Sequence, residues 1–446
     1  MANIEKPPKW LDILQGGSDV GKLFQSKDLH QLIHTAQRDY LYWDSFKHHP
    51  MPDGIKPEEA WAMLKLTRGG QYQKTPIRAN DGGEFKFSLV NSLYQKLNYI
   101  DTYASGFIRT FSDTKPSEQQ KNKFIITSLS EEAIATSQIE GANTTRKAAK
   151  EMLASQRPPR TKGEQMIINS YRVMQKLDAW KKLDLSFEML LEIQSQITEK
   201  TLNDPNEQGR FRNDVDDIVV HDPITGEVVH VPPKKEQMIA QLGRLIKFAN
   251  KDEEDGDFIH PVIKAAMLHF WLSYLHPFVD GNGRTARAVF YWYLLKKDYW
   301  LVQYLSISRA IVQSRKKYDN AFVYSENDDN DLTYFVLFII DAFKTSIIKF
   351  VEYFEEKTKE VEKFKETAER LDAYNPRQIA LLEYFLVHSG ETVDVQTHQA
   401  KQGVSRQTAH NDLLDLEKKG MLARTVKNRK YIFMPNIKII KKLLQQ

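Results

Sequence analysis

The sequence predicts a mainly α-helical protein that also contains an internal β-hairpin and a small C-terminal winged helix domain. From about residue 121 to 345, apolar residues recur at intervals of three and four, which is the spacing of an amphipathic helix. Two runs of β-branched residues around a turn interrupt this pattern between residues 218 and 231. Residues 374–446 follow the order helix, helix, turn, helix and hairpin, which is typical of a winged helix-turn-helix.

The composition is that of a globular protein and excludes several classes of function. The chain has 446 residues with 63 Lys and Arg against 59 Asp and Glu, so it is not a polycation that coats nucleic acid. It has no cysteine, which excludes disulfides, thiolate metal sites and a cysteine nucleophile. The N-terminal residues lack a signal pattern, and the most apolar stretch, residues 334–343, is too short to span a bilayer. We therefore expect a cytoplasmic protein with no membrane partner.

Residues 1–120 are predicted to form an N-terminal helical extension. Amphipathic helices are expected over residues 29–46 and 57–66, the second with Pro57 in its first turn. The polar stretch 69–87 is expected to form a loop or short strands. No chemistry is predicted for this part of the chain.

The predicted core covers residues 121–345 and contains the β-hairpin. Its β-branched runs, residues 218–220 and 228–231, flank the sequence HDPITG, whose composition favours a turn. Pro232 and Pro233 then end the hairpin. Beyond the core, dense alternating charge predicts a solvated helical linker over residues 346–373.

Residues 374–446 form the predicted winged helix domain, whose partner stays open between DNA and protein. The stretch 421–446 contains seven Lys and Arg but no acidic residue, so it could neutralise phosphates. Against DNA, the predicted recognition helix carries Asp412, Asp415 and Glu417. DNA binding through residues 374–446 is therefore one alternative and protein binding the other.

The chemistry is concentrated in residues 276–287, with the sequence HPFVDGNGRTAR. Apolar helical patterns on both sides predict a helix–loop–helix, and its glycines let backbone N–H groups converge on an anion at the start of the second helix. Arg284 and Arg287 lie on one face of that helix and suit a di- or triphosphate. Asp280 is placed to hold a hard cation and His276 to act as a base. Together these groups predict transfer of a phosphorus group to a hydroxyl.

This segment resembles the Fic family signature HPFx[DE]GNGRxxR at every fixed position, and residues from about 124 to 331 resemble bacterial Fic proteins with an N-terminal inhibitory helix and a C-terminal winged helix. The resemblance implies a Fic-type helical bundle and transfer of AMP from ATP, with Mg²⁺, to a Ser, Thr or Tyr hydroxyl of a target protein. His276 would deprotonate the hydroxyl, and Asp280 would bind Mg²⁺. Further groups are implied to hold the phosphates through backbone, amide and guanidinium donors: Gly281, Asn282, Gly283, Arg284 and Arg287.

The resemblance also implies that the hairpin is a flap over the active site. Its exposed edge can pair with an extended stretch of the target. The residues expected to dock the target are Val219, Val220, Val229 and Val231. A plain hairpin packed on the helical core is the alternative. Tyr318 lies where relatives carry a Tyr-Tyr pair that contacts adenine, but Asp319 follows it here, which departs from the family pattern.

Residues 136–141, TSQIEG, match the family's inhibitory motif [ST]xxxE[GN]. Thr136 and Glu140 share a helix face, and Gly141 suits the end of that helix, expected over about 127–141. A carboxylate at the negative end of a helix needs a cation, and the resemblance implies that this cation is Arg287. Such a pair would remove the ligand of the γ-phosphate. A solvated glutamate at a helix end is the alternative.

The sequence thus predicts a protein adenylyltransferase that Glu140 inhibits, with the target unidentified. The protein itself as a target, AMP removal by the same site and a homodimer all stay open. The alternative from a different class is a nucleotide-sensing, DNA-binding transcriptional regulator with little catalysis.

Overall fold

The computed structural model describes residues 4–16, 19–105, 118–222, 225–251, 258–370, 373–387, 390–427 and 430–442. The chain forms two compact units, Met1–Ile347 and Ile348–Gln446. In the described ranges the strands form only two-stranded antiparallel pairs, and helices make up most of the remainder. None of the described helices combines the length and apolar character needed to cross a membrane.

The first part of the first unit is a set of helices with one β-hairpin. Its elements are α1 (Trp10–Gln15), α2 (Val20–Gln25), α3 (Lys27–Asp39), α4 (Trp43–Phe46), α5 (Pro57–Gly69), β1 (Tyr72–Arg78), β2 (Glu84–Ser88) and α6 (Asn91–Ala104). The single helix predicted over residues 29–46 is wrong, because Tyr40 adopts a left-handed conformation with φ 47° and ends α3. Its hydroxyl is directed into a buried polar cluster, which explains the break.

The rest of the first unit is almost entirely helical. Its elements are α7 (Glu118–Ile139), α8 (Arg146–Ser155), α9 (Lys162–Trp180), α10 (Phe187–Thr198), β3 (Val220–His221), β4 (Val228–His230), α11 (Lys235–Asn250), α12 (Pro261–Leu275), α13 (Asn282–Lys296), α14 (Ile307–Gln313), α15 (Arg315–Asn327) and α16 (Thr333–Arg370). The predicted linker helix starts earlier than expected, since α16 begins at Thr333. The boundary between the two units falls inside α16.

Helices α12 and α13 form the centre of this unit. Both are buried around nearly their whole circumference. This is expected for α12, which is apolar on all sides, whereas the first two turns of α13 also bury polar side chains, among them Arg284 and Arg287. Pro261 occupies the first turn of α12, where its missing N–H costs nothing, and the His260 ring caps the same end. The loop between these helices, residues 276–281, is therefore held at both ends by helices that are almost completely buried.

The second unit contains the C-terminal part of the chain. Its further elements are α17 (Pro376–Val387), α18 (Val395–Gln402), α19 (Arg406–Lys418), β5 (Leu422–Lys427), β6 (Lys430–Pro435) and α20 (Ile437–Lys442). Gly403, with φ 62°, ends α18, and the Ser405 hydroxyl caps α19 by accepting from the Thr408 N–H. Leu382, Phe385 and Phe433 lie in a small core of their own. Assignment of this unit to the winged helix class stays a prediction.

A buried polar cluster joins the N-terminal extension to the rest of the first unit. Lys65 of α5 forms an ion pair with Asp328 at 2.8 Å, with 1% and 2% of the two side chains exposed. Close by, the hydroxyls of Tyr40 and Tyr72 each donate to Asp331 Oδ2 at 2.7 Å. Burial raises the pKa of Asp328 while the neighbouring Lys65 lowers it, so the carboxylate depends on its cation. The extension is part of the same folded body as the predicted core.

Replacing Lys65 by Met should therefore destabilise the first unit strongly. It leaves a buried carboxylate without its closest cation, which costs about 3 kcal/mol when one partner of a buried pair is removed. Urea denaturation measures the change. Lys74→Met is the control, because Lys74 pairs with Glu84 while 84% of its own side chain is exposed; its effect should stay below about 1 kcal/mol. Equal effects of both substitutions would contradict the conclusion that the buried pair of Lys65 and Asp328 stabilises the first unit.

Candidate active site

The loop that carries the motif turns sharply between α12 and α13. His276 ends α12 in a left-handed conformation with φ 46°, and Gly281, with φ 88°, precedes α13. A Cβ on Gly281 would lie 2.9 Å from Thr198 Cγ2, so glycine is required both for its conformation and for the close approach to α10. The N–H groups in the first turn of α13 have no acceptors within the helix and face the loop.

The side chain of Asn282 closes this loop. Its Oδ1 accepts from the Phe278 N–H at 2.9 Å, and its Nδ2 donates to the Phe278 carbonyl at 2.8 Å. Phe278 is fully buried and stacks on Phe211 with ring centroids 5.4 Å apart. Both polar atoms of the Asn282 side chain thus bind the loop itself, and one N–H of its amide is left to serve as the predicted phosphate donor.

Arg212 fixes the backbone of the predicted base. Its Nε donates to the His276 carbonyl at 2.7 Å, and its own N–H donates to the Pro277 carbonyl at 2.9 Å. It also donates to the Pro233 carbonyl, just after the flap. Arg212 lies in the run GRFR, residues 209–212, which resembles the Fic family pattern G-x-[FY]-R and is expected from that resemblance to shape the loop. Its contacts with the His276 and Pro277 carbonyls agree with that expectation.

The ring of His276 faces a cleft of about 170 Å3 between the flap and helices α7, α12, α13 and α15. Burial lowers the pKa of His276 to about 4, and the nearby His230 acts in the same direction. A hydrogen bond with the Ser273 backbone acts the other way but is weaker. The imidazole is therefore neutral near pH 7 and can accept a proton.

Asp280 and Arg284 interact across the first turn of α13. Arg284 Nη2 donates to Asp280 Oδ1 at 3.2 Å, and Nη1 donates to the Ile197 carbonyl at 3.0 Å. Asp280 Oδ1 also accepts from the Gly281 N–H. The Asp280 side chain is 42% exposed, and its Oδ2 receives no hydrogen bond from any described residue.

Arg287 is bound by the predicted inhibitory helix. Its Nε donates to Thr136 Oγ1 at 2.6 Å, and its Nη2 donates to the Thr136 carbonyl at 3.0 Å and to Glu140 Oε1 at 2.8 Å. Burial alone would raise the pKa of Glu140, but the charge and hydrogen bond of Arg287 outweigh it and lower that pKa. The structure thus brings together the three residues that the sequence analysis associates with inhibition.

The Glu140 carboxylate lies directly against Gly283. A Cβ on Gly283 would lie only 2.2 Å from Glu140 Oε1, so the absence of a side chain allows this contact. The carboxylate therefore occupies the positive N-terminal end of α13, which offsets the unfavourable end of its own helix. Helix α7 ends at Ile139, and Gly141 follows with φ 87°. An anion bound at this helix end would compete with Glu140 for the same space.

The hairpin is shorter than predicted. The strands are limited to β3 and β4, residues 223–224 lie outside the described residues, and Val219 and Val231 lie outside both strands. Val220 and Val229 line the cleft, whereas 57% of Val231 is exposed. His230, for which the sequence predicts no role, anchors β4 through Glu326 Oε2 at 2.9 Å and the Tyr274 carbonyl at 2.7 Å.

The far end of the cleft contains Tyr318, Arg315 and Asp319. The Tyr318 hydroxyl lies 3.0 Å from His269 Nε2, and burial raises the pKa of Tyr318 to about 12. Asp319, where the family pattern has an aromatic residue, accepts from Arg315 Nε at 2.9 Å. Arg315 also donates to the Ile139 carbonyl at the end of α7. Asp319 thus orients a residue that caps the inhibitory helix, a contact that sequence spacing does not reveal.

Comparison with known proteins agrees with this geometry. Residues 184–294 match the Fic/DOC family model, so the chain contains a Fic domain. The chain is similar to the protein adenylyltransferase Fic of Drosophila melanogaster, with 30% identity over 164 residues, 36% of this chain and 29% of the relative. It is also similar to the protein adenylyltransferase Fic of Nematostella vectensis, with 28% identity over 149 residues, 32% of this chain and 30% of the relative. The match thus spans less than a third of the length of these curated relatives.

Solved structures share the fold. A Fic family protein from Desulfovibrio desulfuricans has a TM-score of 0.51 at 16% identity, over 78% of this chain and 97% of that one. Fic-1 from C. elegans has a TM-score of 0.50 at 18% identity, over 73% of this chain and 84% of that one. These likenesses confirm the predicted mainly helical, Fic-type fold.

The lowered pKa of His276 can be measured directly. In histidine-labelled protein, the NMR signal that is lost in His276→Gln should titrate near pH 4, well below the ordinary value of 6.5. Because the unfolded chain binds the proton more readily than the folded one, His276 should also reduce stability as the pH falls from 6.5 towards 4. A midpoint near 6.5 would contradict the burial argument.

Proposed function

We propose that this protein transfers AMP from ATP to a hydroxyl of a target protein, and that Glu140 inhibits the transfer. The observation that carries the proposal is the contact of Glu140 with Gly283 and Arg287 of α13, the helix that directly follows the loop of His276. Similarity to two proteins named protein adenylyltransferase Fic supports the reaction.

In the proposed reaction, His276 acts as the general base. The neutral imidazole accepts the proton of a Ser, Thr or Tyr hydroxyl, and the oxygen attacks the α-phosphorus of ATP. A bond forms between this oxygen and phosphorus, the bond to the bridging oxygen breaks, and pyrophosphate leaves with its electron pair. Arg284, Arg287 and the N–H groups of the first turn of α13 hold the phosphates and neutralise charge that develops during transfer.

Mg²⁺ fits the one carboxylate that the loop offers. Among the described residues, no group of three or more His, Asp or Glu side chains could hold a metal ion by itself. Mg²⁺ needs fewer protein ligands, because it binds through one or two carboxylates and takes further oxygens from phosphates and water. Asp280 would hold it through the open Oδ2, and the ion would supply charge neutralisation between the phosphates. Arg284, by binding Oδ1, orients that carboxylate.

The proposed inhibition follows from competition for one cation and one space. The γ-phosphate needs Arg287, whose Nε and Nη2 are occupied by Thr136 and Glu140. It also needs the N-terminal end of α13, which the Glu140 carboxylate fills. ATP can therefore bind productively only after Glu140 has moved. An extended segment of the target would dock on the flap, where Val220 and Val229 line the cleft.

Removal of the Glu140 side chain should activate the enzyme. With ATP labelled in the α-phosphate, Glu140→Gly should label itself or lysate proteins about tenfold or more above wild type, within the usual range of coupling energies. Mass spectrometry should find added AMP. Glu140→Gly/His276→Ala is the control and should lose labelling by about a hundredfold or more, since a general base contributes that much. Labelling from γ-labelled ATP, or none in either variant, would contradict the proposal.

We also propose DNA binding by residues 374–446, because the acidic side chains of α19 are each bound by a cation or an amide of the same unit. Glu417, for example, pairs with Arg424 at 3.2 Å. Asp412 is 4% exposed and binds Arg377 Nε at 2.8 Å, and Asp415 accepts from Gln378 and Lys419. The residues exposed at the N-terminal end of α19 are thus polar or basic: Arg406, Gln407 and Asn411. The acidic groups that argued against DNA are neutralised within the unit.

Arg406→Glu tests this second candidate in the full chain. Fluorescence anisotropy with a random-sequence duplex should show binding that weakens with salt, and the substitution should reduce affinity about tenfold, the cost of a lost phosphate or base contact. Arg160→Glu, an exposed charge reversal in the first unit, is the control and should change affinity little. Absence of binding at low salt, or equal loss in both variants, would favour a protein partner.

A further inference from the structure

A buried carboxylate on α7 lies two helical turns before Glu140. Glu132 is 1% exposed and accepts hydrogen bonds from the Tyr291 hydroxyl at 2.8 Å, the Ser308 N–H at 2.9 Å and the Ser306 hydroxyl at 3.1 Å, and also from the Ser308 hydroxyl. Tyr291 belongs to α13, and the two serines lie around the start of α14. All of these donors therefore come from elements other than α7.

Burying this carboxylate costs free energy of folding, which argues that Glu132 has a role beyond filling space. Within the described chain Glu132 has no ion-pair partner, and its burial raises the pKa of its carboxyl group. A leucine would fill such a site at lower cost, because burying a carboxylate requires every lone pair to find a donor. The network meets that requirement only when α7 lies in one position, since the Ser308 N–H is fixed by the backbone. Apolar packing would tolerate sliding; this network does not.

Glu132 belongs to a row of contacts between α7 and α13, which is called the ladder below. Glu132, Thr136 and Glu140 are spaced by four residues and share one face of α7. Across from them, Tyr291, Arg287 and Gly283 are likewise spaced by four on α13. The contacts pair Glu132 with Tyr291, Thr136 with Arg287 and Glu140 with Arg287 and Gly283. The two helices thus run antiparallel in a fixed register.

We propose that Glu132 is a positioning residue for inhibition. It locks the register of α7 on α13, so that the Glu140 carboxylate stays on Arg287. It touches neither nucleotide nor target and acts through Thr136 and Glu140. The inference rests on the proposed function, and it adds the residue that determines how firmly the inhibitory helix is held. In a helix without this anchor, Glu140 would reach Arg287 in only a fraction of the molecules.

The experiment combines two substitutions with the activating one. Glu132→Ala removes the carboxylate, and Glu132→Gln keeps its shape but leaves an amide facing the Ser308 N–H. With α-labelled ATP, Glu132→Ala should transfer about ten times as much label to protein as wild type, and Glu132→Gln should show a smaller increase. Such factors are expected when the coupling between the position of α7 and ATP binding is weakened. Calorimetry should show that Glu132→Ala binds ATP more tightly than wild type, with Glu132→Gln in between. Hydrogen exchange should be faster across residues 126–141.

Adding Glu132→Ala to Glu140→Gly distinguishes positioning from general support of the fold. If Glu132 acts only by holding Glu140 in place, the double variant should label like Glu140→Gly alone. A double variant that labels less would show that Glu132 supports the catalytic helix through Tyr291, which overturns the proposal. Unchanged labelling, ATP affinity and exchange in both Glu132 variants would overturn it as well.

Glu131→Gln is the matched control on the neighbouring residue of the same helix. Glu131 is also largely buried but faces Arg146 and Lys150 around α8. Its substitution should change labelling much less than that of Glu132, because it lies off the ladder; an equal effect would contradict the proposal. Failure of the proposed function is seen separately: Glu140→Gly would then neither label nor bind ATP more tightly. The exchange measurement would still decide whether Glu132 anchors α7.

Discussion

Arg287 is a buried guanidinium, and a charge that cannot be lost must have an anion beside it. With 3% of this side chain exposed, water cannot serve instead. In the structure Glu140 supplies the anion, and Thr136 takes two further N–H bonds. In our proposal the γ-phosphate of ATP supplies it in the active state. Under this proposal, the inhibited and active states differ in which anion neutralises the Arg287 guanidinium.

The surroundings of this cation are rigid, and the rigidity has identifiable causes. Asn282 closes the motif loop on Phe278, and Arg212 binds the backbone on both sides of His276. The loop is held between α12 and α13, the most buried helices of the first unit. Positioning accounts for much of the rate enhancement in phosphoryl chemistry, so a base fixed in this way is what the proposed reaction requires. The side chain that must move in the proposed activation is then Glu140 rather than His276.

The N-terminal extension, to which no chemistry is assigned, contacts the elements that form the cleft. The polar cluster of Lys65 and Asp328 makes it part of the first unit. Its hairpin loop also reaches the flap, since the Asn80 side-chain amide donates to the Val231 carbonyl at 2.7 Å. The backbone N–H of Asn80 donates to the Tyr274 hydroxyl at 2.9 Å. The end of the flap is therefore attached to a body whose folding depends on buried ion pairs, which links the stability of the extension to the geometry of the cleft.

The amino-acid sequence by itself determined the helical class, the hairpin and the residues of the motif, because periodicity and a dense local signature are properties of neighbours in the chain. It also placed Glu140 on a helix face that needs a cation. Only the tertiary structure decided that the Asn282 amide binds the loop, that Asp319 orients Arg315, and that Glu132 accepts a hydrogen bond from Tyr291 of a distant helix. Most of these contacts depend on how distant helices pack. Whether a buried polar group finds a hydrogen-bond partner is therefore decided by the donors that this packing brings to it.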